Sequence, residues 1–211
     1  DSAFDRVSTD IYKVAYDCTM HFIRNGHEKI AILIDDSLKS YNNDLIKGYE
    51  KALKDSEIKI KNRYVLHKNG YEKKISDMLS GLLNGHDTPS ALLIADSDHI
   101  YSVYRYMMKR NVRCPKDLSI MCIGNEDSAQ YLNPALSMAE NNFERIAGNA
   151  AELILDKIKE LSENDKYEAI LKKTSKILLP AKIIIRDSII GAARGPFGEK
   201  GADVNMLSLT E

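Results

Sequence analysis

Four short apolar runs alternate along this chain with stretches of helical periodicity. The runs are KIAILI (29–34), RYVLH (63–67), ALLIA (91–95) and LSIMCIG (118–124). A continuous apolar run of this length suits a strand buried on both faces. Between them, residues 12–25 bring Val14, Ala15, Cys18 and Phe22 to one face and stop at Gly26, which suits a helix C-terminal cap. Residues 42–54 turn Leu45, Ile46, Tyr49 and Leu53 inward, and residues 71–84 carry Ile75, Met78, Leu79, Leu82 and Leu83 at helical spacing. Residues 98–110 repeat the pattern with Ile100, Val103, Tyr104, Met107 and Met108. Strand–helix alternation with short connections predicts an α/β fold, a Rossmann-like parallel sheet with helices on both faces and right-handed crossovers.

Three of the runs stop at polar residues. AILI ends at Asp35-Asp36, ALLIA at Asp96-Ser97-Asp98, and LSIMCIG at Asn125-Glu126-Asp127. Parallel strands of an open sheet release their last residues at one edge, where ligands of such sheets bind. Carboxylates gathered there, with no basic residue immediately beside them, suit a polar, hydroxyl-rich or cationic small molecule. The plainer reading of each position is a solvated loop residue or helix cap, with Asp98, Asn43 and Ser128 as suitable N-caps.

The chain has 211 residues and a formal net charge of −1. A surface that grips a nucleic-acid backbone needs a basic excess, which this balance does not supply. Nothing approaches the length of a membrane-spanning helix. The opening DSAFDRVSTD lacks Met and any signal-peptide pattern, and the chain reads as a piece of something longer in a reducing cytoplasm. Cys18, Cys114 and Cys122 form no C-x-x-C pair and read as small buried hydrophobes. His27, between a helix-ending glycine and a strand, reads as a packed or hydrogen-bonded histidine. His21, His67, His86 and His99 lack metal-ligand spacing, and neither a serine elbow nor a phosphate loop occurs. No metal and no cofactor is expected. The run Lys59, Lys61, Arg63 reads as the solvated face of a strand.

After Ser128 the pattern changes. AQYLNPAL is a connector, LSMAEN (136–141) one more strand, and 143–161 a long amphipathic helix through Phe143, Ile146, Ala150, Leu153, Ile154 and Ile158. Strand-like runs follow at 168–171, 177–179 and 182–186, then a Gly-rich, charged tail expected to be poorly ordered.

In their order these pieces resemble the ligand-binding domain of the LacI/GalR family of bacterial transcription repressors. NGHEKIAIL after Asp10 and its helix, KGYEKAL (47–53), NGYEKKISDMLS (69–80), TPSALLIADSD (88–98), VRCPKDLSIMCIGNED (112–127), LNPALSMAENNFERIAGNAAELIL (132–155) and LLPAKIIIRDS (178–188) each look like a family segment. The resemblance implies a periplasmic binding protein type I-like second lobe plus a return segment of the first lobe. Residues 1–13 would cross into the second lobe, 14–128 form its α/β core, 129–165 return as strand and helix to the first lobe, 166–189 close the second lobe, and 190–211 form the tail. A DNA-binding helix-turn-helix and most of the first lobe would lie elsewhere. The implied ligand set is Asp10, Asp36, Tyr41, Asn43, Asp96, Ser97, Glu126 and Asp127. Asp96-Ser97 stands where the family has Asn-Asp, and Glu126 where it has aspartate. Leu45 stands where the family's arginine grips ligand; having no donor, it puts a standard sugar ligand in doubt. The helix at 98–110 would help form a side-by-side homodimer through Tyr101, Arg105 and Tyr106. The function implied is effector sensing, without enzyme activity. A solute-binding protein of a sugar transporter is one alternative. Another, from Asp96-Ser97-Asp98, is a D-x-D glycosyltransferase holding a divalent cation.

Overall fold

The computed structural model describes residues 4–37, 39–69, 74–163 and 174–190. In chain order these form β1 (Arg6–Thr9), α1 (Ile11–Arg24), β2 (Ile30–Asp35), α2 (Lys39–Asp55), β3 (Val65–Lys68), α3 (Ile75–Leu83), β4 (Ala91–Ile94), α4 (Ile100–Arg110), β5 (Ser119–Ile123), β6 (Ser137–Glu140), α5 (Phe143–Glu163), β7 (Lys176–Leu179) and β8 (Lys182–Ile184). The run at 168–171 and nearly all of the expected tail lie outside the described residues.

Six strands form one sheet in the order β3-β2-β4-β5-β6-β8. The first five are parallel, and β8 closes the edge antiparallel to β6. Alternate residues of the central strands feed two separate cores. Ala31, Leu33, Leu92, Ile94, Ile120 and Cys122 pack under α3 and α4. Ile30, Ile32, Ile34, Leu93, Met121 and Ile123 pack under α1 and α2. Both faces are dry, so these strands are apolar throughout rather than alternating in polarity.

The α1–α2 pair crosses closely. A Cβ placed on Gly48 would lie 2.1 Å from the Tyr12 carbonyl oxygen and 3.1 Å from the Ala15 methyl. Only a residue without a side chain lets the two helices approach this far. His27 follows α1 after Gly26, whose φ of 85° is the left-handed conformation glycine tolerates. Its Nδ1 lies 2.8 Å from Ser90 Oγ and its Nε2 2.8 Å from the Ile190 carbonyl oxygen, so a buried imidazole ties the end of the described chain to the start of β4. Burial holds its pKa below the usual histidine value, against the opposing bond to Ile190. Ser188 performs a similar closure at β5 and β6. Fully buried, it donates to the Ile120 carbonyl at 2.6 Å and accepts the Ser137 amide at 2.8 Å.

A second, small unit stands apart from this sheet. β1 and β7 pair in parallel as a two-stranded sheet, and α5 packs against both. The strand at 137–140 corrects the expected boundary. It was assigned with α5 to the first lobe, yet it pairs with β5 and β8 inside the large sheet, and Met138 and Ala139 are fully buried there. The chain therefore changes units after β6, at Asn141-Asn142, and not at the connector near residue 129. β7 also departs from expectation, since it joins β1 rather than closing the large sheet. On α5, Ile146, Ala150 and Leu153 are half-buried, while Phe143, Ile154, Leu155 and Ile158 are exposed.

Two helix positions differ from the periodicity reading. Tyr106, expected to face a second subunit, is 6% exposed in the core beside Val103 and Met107. Met108, expected inward, is 77% exposed. The buried arc of α4 is centred near Val103, which brings position 106 in and turns position 108 out. Cys18 and Cys122 are buried as expected, and Cys114 is half-buried.

Gly48→Ala is expected to cost about 1–3 kcal/mol through forced separation of α1 and α2, read as a lowered urea midpoint with unchanged slope. Ala at Gly81, where added bulk meets nothing within 4 Å, is the tolerated comparison.

Candidate functional site

Strand order places the topological switch between β2 and β4. From β2 the chain goes outward to β3, then returns across β2 to β4 and continues to β5 and β6. The C-terminal ends of β2, β4 and β5 lie side by side at one edge of the sheet, where ligands of such sheets bind.

Five links close the polar groups here into a ring. Asp10 caps α1, its Oδ1 accepting the Lys13 amide at 3.0 Å. It lines a small cavity of about 30 Å³ together with Thr9, Tyr41 and Asp44. Burial, and then the Asp96 carboxylate, push the Tyr41 phenol up to about 12, so the link from Tyr41 to Asp96 is electrostatic. Ser97, next to Asp96, lies over the end of β5. A Cβ on Gly124 would come within 3.0 Å of the Ser97 hydroxyl, and Gly124 has a φ of 137°. Asn125 then clasps Asn141 by two bonds: its Nδ2 donates to the Asn141 carbonyl at 3.1 Å, and its Oδ1 accepts the Asn141 amide at 3.0 Å. Thr9 closes the ring by donating its hydroxyl to Asn141 Oδ1 at 2.5 Å.

Glu126 stands just outside this ring. Its Oε1 accepts the Ser128 amide at 3.2 Å and also the Ser128 hydroxyl, which is joined to the Tyr101 hydroxyl. The Ser128 bonds hold the Glu126 carboxyl below its ordinary pKa. Burial, then Asp96, with Glu126 also contributing, pushes the Cys122 thiol well up, so both acids lie near the end of β5.

The expected ligand residues thus divide. Asp10, Tyr41, Asp96 and Ser97 belong to the ring, with Glu126 at its margin. Asp36 turns the other way, toward β3, and accepts from or pairs with His67 Nδ1 at 2.9 Å. Asn43 is exposed on α2, and Asp127 is exposed at the start of a helical turn. The expected caps also change places. Asp96 accepts the Asp98 amide at 3.0 Å and Glu126 accepts that of Ser128, so the acids cap and Asp98 and Ser128 are capped. Asn43 is within α2 and caps nothing.

Sequence reasoning missed Asn42, His99 and Asn141, and named Asp35 and Asn125 as strand ends without giving them a role. Asn42 is buried one turn before Leu45, and its Nδ2 donates to the Asp35 carbonyl. Leu45 is fully buried in the core with Ile34 and Tyr49. Asp35 Oδ2 lies 3.4 Å from His99 Nε2, a buried nitrogen with no well-directed hydrogen bond among the described residues. Burial works to raise the Asp35 pKa, but the Ser37 amide and hydroxyl, with His99 and Lys68, hold it lower. Asn42 carried a readable signal, its i, i+3 relation to Leu45. Asn125 and Asn141 carried none, because their bond joins residues whose strands pair only in the fold.

Asp96-Ser97-Asp98 forms a capping turn, and no group of three or more His, Cys, Asp and Glu arranged to hold a metal ion occurs among the described residues. No helix among them is long and apolar enough to cross a membrane.

A switch-point crevice with two adjoining units defines a class of α/β ligand-binding domain. The family model described as periplasmic binding protein-like domain matches residues 19–189. The chain belongs to this family and is a ligand-binding domain of the LacI/GalR type. The HTH-type transcriptional repressor PurR of Photobacterium profundum is 25% identical over 179 residues, covering 82% of this chain and 54% of the repressor. A probable opine utilization operon repressor of Rhizobium rhizogenes is 25% identical over 193 residues, covering 88% of this chain and 93% of the relative. Among solved structures, a regulatory protein of the LacI family from Chloroflexus aggregans aligns with a TM-score of 0.76 at 25% identity, covering 90% of this chain and 65% of that one. A LacI family transcriptional regulator from Enterococcus faecium with bound ribose shares the fold at a TM-score of 0.72 and 20% identity, covering 92% of this chain and 68% of that one. The chain spans about half the length of the PurR relative.

Asn125→Ala removes both bonds of the clasp and leaves the Asn141 amide and carbonyl to find water. The expected loss is about 1–3 kcal/mol, measured by urea denaturation of the full chain.

Proposed function

We propose that this chain is the effector-sensing domain of a transcription repressor, and that a small polar molecule binds at the ring formed by Asp10, Tyr41, Asp96 and Ser97. The observation carrying this reading is the gathering of these four residues beside the sheet's switch point, where the small β1–β7 unit also adjoins. The effector meets the Asp10 and Asp96 carboxylates and the Tyr41 phenol, with Arg6 and Lys176 also lining the cavity at Asp10, so a molecule bearing hydroxyl groups, which both donate and accept, suits it. Leu45 offers no cation, and Asn42 supplies an amide in the same region. DNA is engaged through a segment outside this chain, and effector binding biases that segment only by favouring one arrangement of the two units over another. The domain works without catalysis, in the cytoplasm.

The first test is a thermal-shift screen on the full chain with ribose, other sugars and polyols, nucleobases, amines and an opine. Ribose and an opine are included because of the relatives' names and the ribose-bound neighbour. At about 100 times Kd a bound effector adds roughly 2.7 kcal/mol, a rise on the order of 5–10 °C. Asp96→Asn and Tyr41→Phe are expected to abolish that rise. A compound whose effect survives both substitutions binds elsewhere, and the reading then fails.

The domain also pairs with a second copy through the outer face of α4. Tyr101 is 49% exposed, Arg105 is exposed beside it, and Tyr131, 81% exposed, lies on the turn that Ser128 joins to Tyr101. Tyr106 takes no part. Arg105 also lines the groove between α3 and α4, at the edge of this face, so the test uses the two tyrosines: Tyr101→Ala combined with Tyr131→Ala is expected to shift dimer to monomer in sedimentation velocity at micromolar concentration, with an unchanged far-UV spectrum.

A further inference from the structure

A second concavity lies away from the ring. α3 and α4 leave between them a groove of about 720 Å³, whose inner end is Lys68 at the close of β3. Among the described residues Lys68, Lys74, Arg105, Lys109 and Arg110 line it, against the single carboxylate of Asp77. Ser76 and Ser80, one turn apart on α3, and Ser102 on α4 add three hydroxyls.

This concentration of positive charge does not follow from the chain as a whole, whose net charge is −1. Elsewhere several cations stand beside acids, Lys13 with Asp17, Lys61 and Lys29 with Asp87, and Arg113 with Asp117, and those unpaired among the described residues, such as Lys47, Lys59 and Lys182, are not gathered in a concavity of this size. Among the described residues, Lys74, Arg105, Lys109 and Arg110 enter no ion pair. Lys109 and Arg110 close α4, where a cation complements the helix dipole. That accounts for neither Lys68, Lys74 and Arg105 nor the hydroxyls. Ser102, Arg105 and Lys109 follow each other at helical spacing, so one face of α4 is given to the groove. Like charges drawn together in a concavity focus a positive potential that an anion relieves. Ammonium, guanidinium and hydroxyl donors together match phosphate oxygens, each bond being charge-assisted. The volume falls within the range of small-molecule sites.

We propose that the α3–α4 groove is a binding site for a small, multiply phosphorylated molecule, separate from the effector crevice. Two phosphates are specified because five cations line the groove against Asp77, more positive charge than the roughly two negative charges of a single phosphate offset. The proposal does not depend on the identity of the crevice ligand.

The test is isothermal titration of the full chain with inorganic pyrophosphate, and with inorganic monophosphate for comparison, at 50 and 200 mM salt. Pyrophosphate is expected to bind at least 10-fold more tightly than monophosphate and to weaken as salt rises. Lys74→Glu, and the pair Lys109→Glu with Arg110→Glu, should each weaken it at least 10-fold. These side chains are exposed, so melting temperatures should hold within about 2 °C. Asp96→Asn, in the crevice, should leave pyrophosphate binding unchanged. Absence of binding at millimolar pyrophosphate would overturn the proposal. So would equal affinity for monophosphate, indifference to the charge reversals, or displacement of pyrophosphate by tighter-binding duplex DNA, which would make the groove a nucleic-acid contact.

Discussion

Burial of the central strands on both faces is the constraint from which the other features follow. β2, β4 and β5 lie between two helical layers, and nearly every residue in them is excluded from water. A polar side chain within such a strand would need a buried partner or would cost free energy. Polar groups can therefore enter only where the strands run out, and parallel pairing brings those ends to a single margin. Asp35, Asp96 and Asn125 come to one edge for this reason, although 61 positions separate the first two and 29 the last two along the chain.

The same constraint explains how much was legible beforehand. A dry strand is visible as an uninterrupted apolar run, and its layer partners as helical stripes, so the sheet and four of its helices could be read from pattern alone. The strand at 137–140 was also visible, but its allegiance was not. Ser137, Met138 and Ala139 would suit either sheet, and the choice rests on pairing with β5 and on Ser188, a residue some fifty positions later. Tyr106 and Met108 were misjudged because both fall on the border of the α4 stripe, where the tilt of the helix on its core decides. For the site, acidic strand ends gave the location but not the roles. Asp36 is drawn to His67, and Asp96 and Glu126 serve the turns that follow them, which no spacing rule reveals. The asparagine clasp was invisible for the reason all long-range side-chain bonds are.

The two proposed sites contrast in a way that sorts their ligands. The ring carries carboxylates with Arg6 and Lys176 beside the cavity at Asp10, while the buried Leu45 adds no charge to it. The groove is rich in donors and nearly free of acid. A multiply phosphorylated compound is drawn more strongly to the second, where, among the described residues, five cations face one carboxylate. Lys68 and Asp36 occupy adjoining strand ends, joined by a backbone bond from the Asp36 amide to the Lys68 carbonyl.

The connections between the large sheet and the β1–β7 unit have a mechanical consequence. Among the described residues the backbone passes between the units at Thr9-Asp10, at Asn141-Asn142 and between β7 and β8, and the first is bonded to each of the others, by Thr9 to Asn141 and by the Asp10 amide to the Leu179 carbonyl. Three chains fastened together in this way act as one braided joint. A twist imposed on any single crossing is handed to the other two, so the small unit can turn only as a body, with its pivot beside the residues of the ring.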